Sequence, residues 1–200
     1  PLPFLARQIA RAMWDVRPFL YEDKICMLKI MKTGSRSWNG FSQQEELNLS
    51  HVLDNYSYRF GVSNEFYQIM ELPAAFHQAQ AALNFGKKEK RSVCRYADYY
   101  YFDLFASMET KMPLEHLKMG LYRKLQEYDL QNQTRYCSQI LMYLKCDCNA
   151  THAAEQMYLH RNTVRKAVQF VEDTWLRDTE IKKQMVMGEL VDQYLAWKNR

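Results

Sequence analysis

Only six of the 200 residues are glycine. A loop that cradles phosphate needs glycines so that the backbone can close on the anion. Such a loop has little material here. No nucleophile–base pair and no dense carboxylate cluster stands out either, so the chain does not read as an enzyme and has no catalytic residues to name. No stretch approaches the roughly 20 apolar residues of a membrane span, and no signal-peptide pattern opens the chain. A membrane partner is therefore not expected. Cysteine is sparse and odd in number, at positions 26, 94, 137, 146 and 148. Cys26 and Cys137 lie in apolar runs, which fits reduced thiols and a cytoplasmic location. Cys146-Asp147-Cys148 with His152 nearby has the residue types of a zinc site. A structural site wants a second ligand pair, and none is close, so neither metal nor cofactor is expected. Net charge is only +4, so any charge for binding a polyanion must be local. Residues 111–200 hold 14 Lys and Arg against 11 Asp and Glu, while residues 1–110 hold 13 against 12. No internal repeat or low-complexity tract is visible.

Apolar residues make up 48% of the chain, enough for a packed core. Phe4, Leu5, Ile9, Ala12 and Met13 share a helical face over 4–14. Pro18–Tyr21 and Lys24–Met31 read as two strands joined at Glu22-Asp23, with Gly34 beyond. Ser42 and Glu45 form a capping box that starts a helix running to about Asn55. Tyr58–Val62 reads as a short strand. Leu72-Pro73 opens a helix over Ala74–Phe85, stopped by Gly86. Ser92–Tyr96 reads as a strand and Asp98–Ser107 as a helix, in which Tyr99–Phe102 packs one side into the core. This interleaving predicts an α+β domain, a mixed sheet with helices packed on it. The polar, Pro-containing stretch Met108–Pro113 is the best boundary. It gives an α+β domain over 1–110 and an all-helical domain over 111–200.

The richest stretch is Ala150–Val171. Ala153, Ala154 and Met157 line the inner face of a first helix, and Leu159 fills a turn. Val164, Ala167, Val168 and Val171 follow at helical spacing as the buried face of a second helix. Its other face carries Arg161, Asn162, Arg165, Lys166 and Gln169. A recognition helix needs that layout, with small apolar residues behind and long donor-rich side chains in front. Arg bonds guanine edges in a fork, and Asn or Gln pairs with adenine. Asn149 or Thr151 caps the first helix. His160 and Thr163 stand near the start of the second, within reach of phosphates, though His160 could equally cap the helix or stack on Tyr158. Tyr158 occupies a position that many helix-turn-helix units give to Gly, which is explained if the first helix ends without a left-handed residue.

The run from about Leu121 to Trp197 resembles the C-terminal DNA-binding domain of the PucR/CdaR family of bacterial transcription regulators. The matching residues are Leu125–Asp129, Cys137–Leu144, Asn149, Thr151, Ala153, Ala154 and above all Leu159–Arg165 (LHRNTVR), with Phe170–Glu172 and Ile181–Leu195 after it. The family often has an aromatic and a second Arg where Lys166 and Ala167 stand, and Gly near Trp175-Leu176. Gly61, Ser63, Leu72, Pro73, Ala79, Ala82 and Leu83 also resemble the GGDEF-like domain that precedes this helix-turn-helix in CdaR-type regulators. Active diguanylate cyclases carry two glycines in a hairpin turn. The corresponding Tyr21-Glu22-Asp23-Lys24 has none, so the resemblance implies dimerisation or signal relay rather than catalysis.

The resulting expectation is a sequence-specific regulator. His160, Arg161, Asn162, Thr163, Arg165, Lys166, Gln169 and Thr151 contact double-stranded DNA. One unit covers few base pairs, so a homodimer with units about 34 Å apart is expected. The sequence begins at Pro1, which points to a longer protein whose preceding part holds the sensor for a small-molecule effector. The alternative is a protein-interaction module built on the helix pair, but docking of that kind uses an apolar groove.

Overall fold

The computed structural model describes residues 2–13, 15–21, 23–31, 42–54, 58–89, 91–171 and 176–200. Trp14, Glu22, Gly34, Asn55, Glu172 and Trp175, named above, lie outside them. The chain is mostly helical and divides into two compact units, Pro1–Asp103 and Leu104–Arg200.

The first unit opens with α1 (Leu2–Ala12) and an antiparallel pair, β1 (Val16–Tyr21) and β2 (Lys24–Lys29). Their register places Tyr21 opposite Lys24 and Phe19 opposite Cys26. Helix α2 (Gln43–Asp54) starts with the capping box read from sequence. The Glu45 amide donates to Ser42 Oγ at 3.2 Å, and the Ser42 amide donates to Glu45 Oε2 at 2.7 Å. Two otherwise orphaned N–H groups are thus satisfied reciprocally. Next come β3 (Phe60–Val62), a 3₁₀ turn at Ile69–Glu71, α3 (Leu72–Gly86), β4 (Val93–Arg95) and α4 (Tyr96–Glu109). Leu5, Ile9, Met13, Val16, Leu49 and Val93 form the core, with Ile25, Met27, Phe60 and Val62 packed against it.

Two details depart from the sequence reading. The expected single mixed sheet is two separate pairs among the described residues, β1 antiparallel to β2 and β3 parallel to β4. The pairs share apolar contacts but no ladder. β3 and β4 span only three residues each, and Pro18 in β1 lacks the N–H that a further neighbour would need. Gly86 also does not stop α3. It is the last helical residue and is buried, and a Cβ there would run into Cys94 Sγ. Its small size lets β4 approach, and the helix ends beyond it at Lys87 with ordinary right-handed geometry.

The second unit holds a 3₁₀ turn at Leu114–Leu117, α5 (Gly120–Asn132), α6 (Tyr136–Lys145), α7 (Ala150–Gln156), α8 (Arg161–Val171) and α9 (Thr179–Lys198). Leu125, Ile140, Ala153, Ala154, Val164, Ala167, Leu176 and Met185 are buried together in one core. Among the described residues no helix is long and apolar enough to cross a membrane. All five cysteines are free thiols.

Candidate nucleic-acid interface

Helices α7 and α8 pack on each other and on α6. Ala153, Ala154, Val164 and Ala167 are almost wholly removed from solvent, and Val168 is buried beside them. Alanine at the crossing lets the two helix axes meet closely, as its spacing implies. Val171 and the partly buried Met157 complete the inner faces. Leu159 differs from expectation. It is 38% exposed rather than filling the turn.

Asn149 is the cap of α7. Its side-chain oxygen accepts from the amides of Thr151 and His152, both at 3.1 Å. That settles the choice between Asn149 and Thr151, and leaves the Thr151 side chain exposed. The far end of α7 closes as a Schellman motif. The Leu159 amide donates to the Ala154 carbonyl at 2.9 Å and the Tyr158 amide to that of Glu155 at 3.1 Å. This places Tyr158 at the position that glycine favours, and its φ is +55°. The sequence reading, in which the helix ends without a left-handed residue, is corrected. The turn keeps the usual conformation and forces a bulky residue into it, at a cost of about 1 kcal/mol.

His160 precedes α8. Its Nδ1 accepts from the Asn162 amide at 3.3 Å, and its carbonyl accepts from the Thr163 amide at 2.9 Å. The ring therefore caps the helix. An Nδ1 that accepts carries no proton, so a neutral ring presents Nε2–H outward. From this start, α8 turns Arg161, Asn162, Thr163, Arg165, Lys166 and Gln169 to solvent, all exposed, as are His160 and Thr151. Arg161, Arg165 and Lys166 make no hydrogen bond or ion pair within the described residues, and α8 contains no acidic residue.

The supports of α8 come from residues that sequence reading did not assign a task. Asp129 near the end of α5 accepts from Thr134 Oγ1 at 2.5 Å and from the amides of Tyr136 and Cys137, both at 2.8 Å. One carboxylate thus caps α6 and fixes the α5–α6 corner. Tyr128, Tyr136 and Phe170 form a ring cluster, with the Phe170 centroid 4.4 Å from Tyr128 and 5.2 Å from Tyr136. It fastens the C-terminal end of α8 to that corner. Burial, followed by the nearby Asp129 carboxylate, pushes the Cys137 thiol up to about 12, so it stays protonated and packs as a small apolar group.

Residues 140–180 match the family model of the PucR C-terminal helix-turn-helix domain. No curated protein and no solved structure matches the chain. The matched span runs from the middle of α6 through α7 and α8 into the start of α9, so the helix-turn-helix segment built on Asn149, Tyr158 and His160 is similar to that of the PucR C-terminal domain.

Proposed function

We propose that the chain is a sequence-specific DNA-binding transcription regulator, with α8 as the helix that enters the major groove. One observation carries the reading. Within the PucR-type segment, a helix buried along one side presents three cations and three neutral hydrogen-bonding side chains on the other, and no carboxylate of the helix competes for them. Such a surface suits a polyanion whose groove edges offer acceptors.

Arg161, Asn162, Arg165, Lys166 and Gln169 face the bases and flanking phosphates. His160, Thr163 and Thr151 contact the backbone, His160 through the outward Nε2–H that its capping role leaves available. Two copies are needed for a site long enough to be specific, so the regulator acts as a homodimer. The reading assigns residues 111–200 to DNA binding. It assigns residues 1–110, of which Gly61–Gly86 resembles part of a GGDEF-like domain, to dimerisation or signal relay. Control by a small-molecule effector belongs to the same reading.

The test is selection of bound fragments from a genomic library, by the wild type and by an Arg161→Ala/Arg165→Ala/Lys166→Ala variant. Enrichment of a two-fold symmetric site by the wild type alone supports the reading. Equal recovery by both proteins, or none by either with both folded, contradicts it.

A further inference from the structure

Among the described residues Tyr158 is the most exposed large hydrophobic side chain, at 97% of its full area. It is also held at φ +55° in the turn between α7 and α8. The two observations are independent, and only the backbone conformation is a cost. The backbone position favours glycine, and a tyrosine ring left in water contributes nothing to the core. Other left-handed residues in this unit do not share both features. Gln133 and Asp147 are polar and exposed, and Cys148 is partly buried and packs against the core. No hydrogen bond, ring contact or ion pair within the described residues occupies the Tyr158 side chain. A residue that is strained and unused in the folded chain is a candidate for a contact made outside it.

Its place says which contact. Tyr158 lies two residues before the His160 cap and three before Arg161, the first of the unpaired cations on α8. A helix seated in a groove by those cations brings the turn at its N-terminal end toward the sugar–phosphate strand that borders the groove. A phenolic hydroxyl on a rigid, two-torsion side chain reaches such a strand as a neutral donor. We propose that Tyr158 is a DNA-contact residue whose hydroxyl donates to a backbone phosphate oxygen beside the N-terminal end of α8. The proposal rests on the DNA-binding reading of α8. It adds the turn itself to the interface and explains why the turn carries a tyrosine in a glycine position.

The test uses the full chain, a mixed-sequence 30-base-pair duplex at low salt, and three variants. Phosphate contacts operate on any sequence, so no operator is needed. Tyr158→Phe keeps the ring and the backbone preference and removes only the donor. It should melt with the wild type and bind about fivefold more weakly. Tyr158→Gly removes strain and donor together. It should melt higher, by about 3 °C, and still bind at least as weakly as Tyr158→Phe. Tyr158→Phe is the decisive arm, because it leaves the backbone preference of the turn unchanged and removes only the hydroxyl. Tyr158→Phe binding as tightly as the wild type overturns the assignment, whatever Tyr158→Gly does. The Arg161/Arg165/Lys166 alanine variant runs alongside. If it binds as well as the wild type, the reading of α8 fails and this proposal fails with it. If it alone is weakened, α8 stands and only the role of Tyr158 is lost.

Discussion

Helices α8 and α9 both carry charge on their exposed faces, but they spend it differently. On α9 and its surroundings, charges find one another. Lys183 pairs with Glu180 at 3.4 Å, Glu189 with Lys145 at 2.5 Å, and Lys198 with Glu109 at 2.6 Å, while Asp192 meets Lys118. Asp192 also accepts from Tyr122 and from Gln126, the latter at 2.6 Å. The Lys118 side chain is 10% exposed. Burial works against its charge, but hydrogen bonds to Asp192 and Glu115 outweigh that and hold its pKa above the ordinary value. On α8 the three cations have no such partners among the described residues. The contrast teaches that the pairing of local charge, not net charge, separates the two helices.

The largest effect that would break this comparison falls on α8. Replacing Arg161, Arg165 and Lys166 together by Ala should weaken DNA binding about 100-fold or more, roughly 3 kcal/mol, with the melting temperature nearly unchanged. Binding titrations and a thermal melt check both halves. A comparable loss of stability would place these side chains among the supports of the fold. The mirror experiment is Asp192→Ala. It leaves the ammonium of Lys118 with Glu115 alone and deprives the Tyr122 hydroxyl of its acceptor, at a cost of about 2–3 kcal/mol. Urea denaturation should show it, with DNA affinity unchanged within twofold below the transition.

Asn149→Ala comes next. Losing the cap on α7 should cost about 1 kcal/mol, read as a lowered urea midpoint, and restored by Asn149→Asp or Asn149→Ser.

The smallest effect is a pH dependence around α9. The hydrogen bond from Lys198, together with that from Tyr194 at 3.0 Å, outweighs burial and holds the Glu109 carboxyl below its ordinary value of 4.5. A depressed folded-state pKa means that the contribution is present above pH 4.5 and is lost as pH falls through the folded value. The pair is largely solvated, so Glu109→Gln should remove well under 1 kcal/mol at neutral pH and flatten the acid limb of stability slightly. An unchanged acid limb would show that the Lys198–Glu109 pair contributes nothing measurable.

The sequence carried the local features well. Ser42 and Glu45 lie three residues apart, and Val164, Ala167 and Val168 repeat at helical spacing, so the signal and its structural result share one helix turn. Features that depend on distant partners were not legible. Asp192 meets Tyr122 across 70 residues, and Gly86 owes its size to Cys94 on the next strand. The pairing of β3 with β4 rather than with the hairpin is likewise a matter of packing, because three-residue strands carry almost no periodicity. Tyr158 is the instructive middle case. Its sequence position marked an anomaly, but only the Schellman hydrogen bonds show that the left-handed turn persists despite the residue. The role of Asp129 could have been read from its seven-residue distance to Tyr136, had the α5–α6 corner been known to be that tight.

The most direct test of the contrast between the two helices is the salt dependence of DNA affinity, measured for the wild type, the Arg161/Arg165/Lys166 alanine variant and Lys183→Ala on α9. Each phosphate neutralised by a protein cation steepens the plot of log affinity against log salt by about 0.9. The account predicts that the α8 variant loses about 2 units of slope while Lys183→Ala keeps the wild-type line. Parallel lines for the wild type and the α8 variant, or an equal loss of slope in Lys183→Ala, would contradict it.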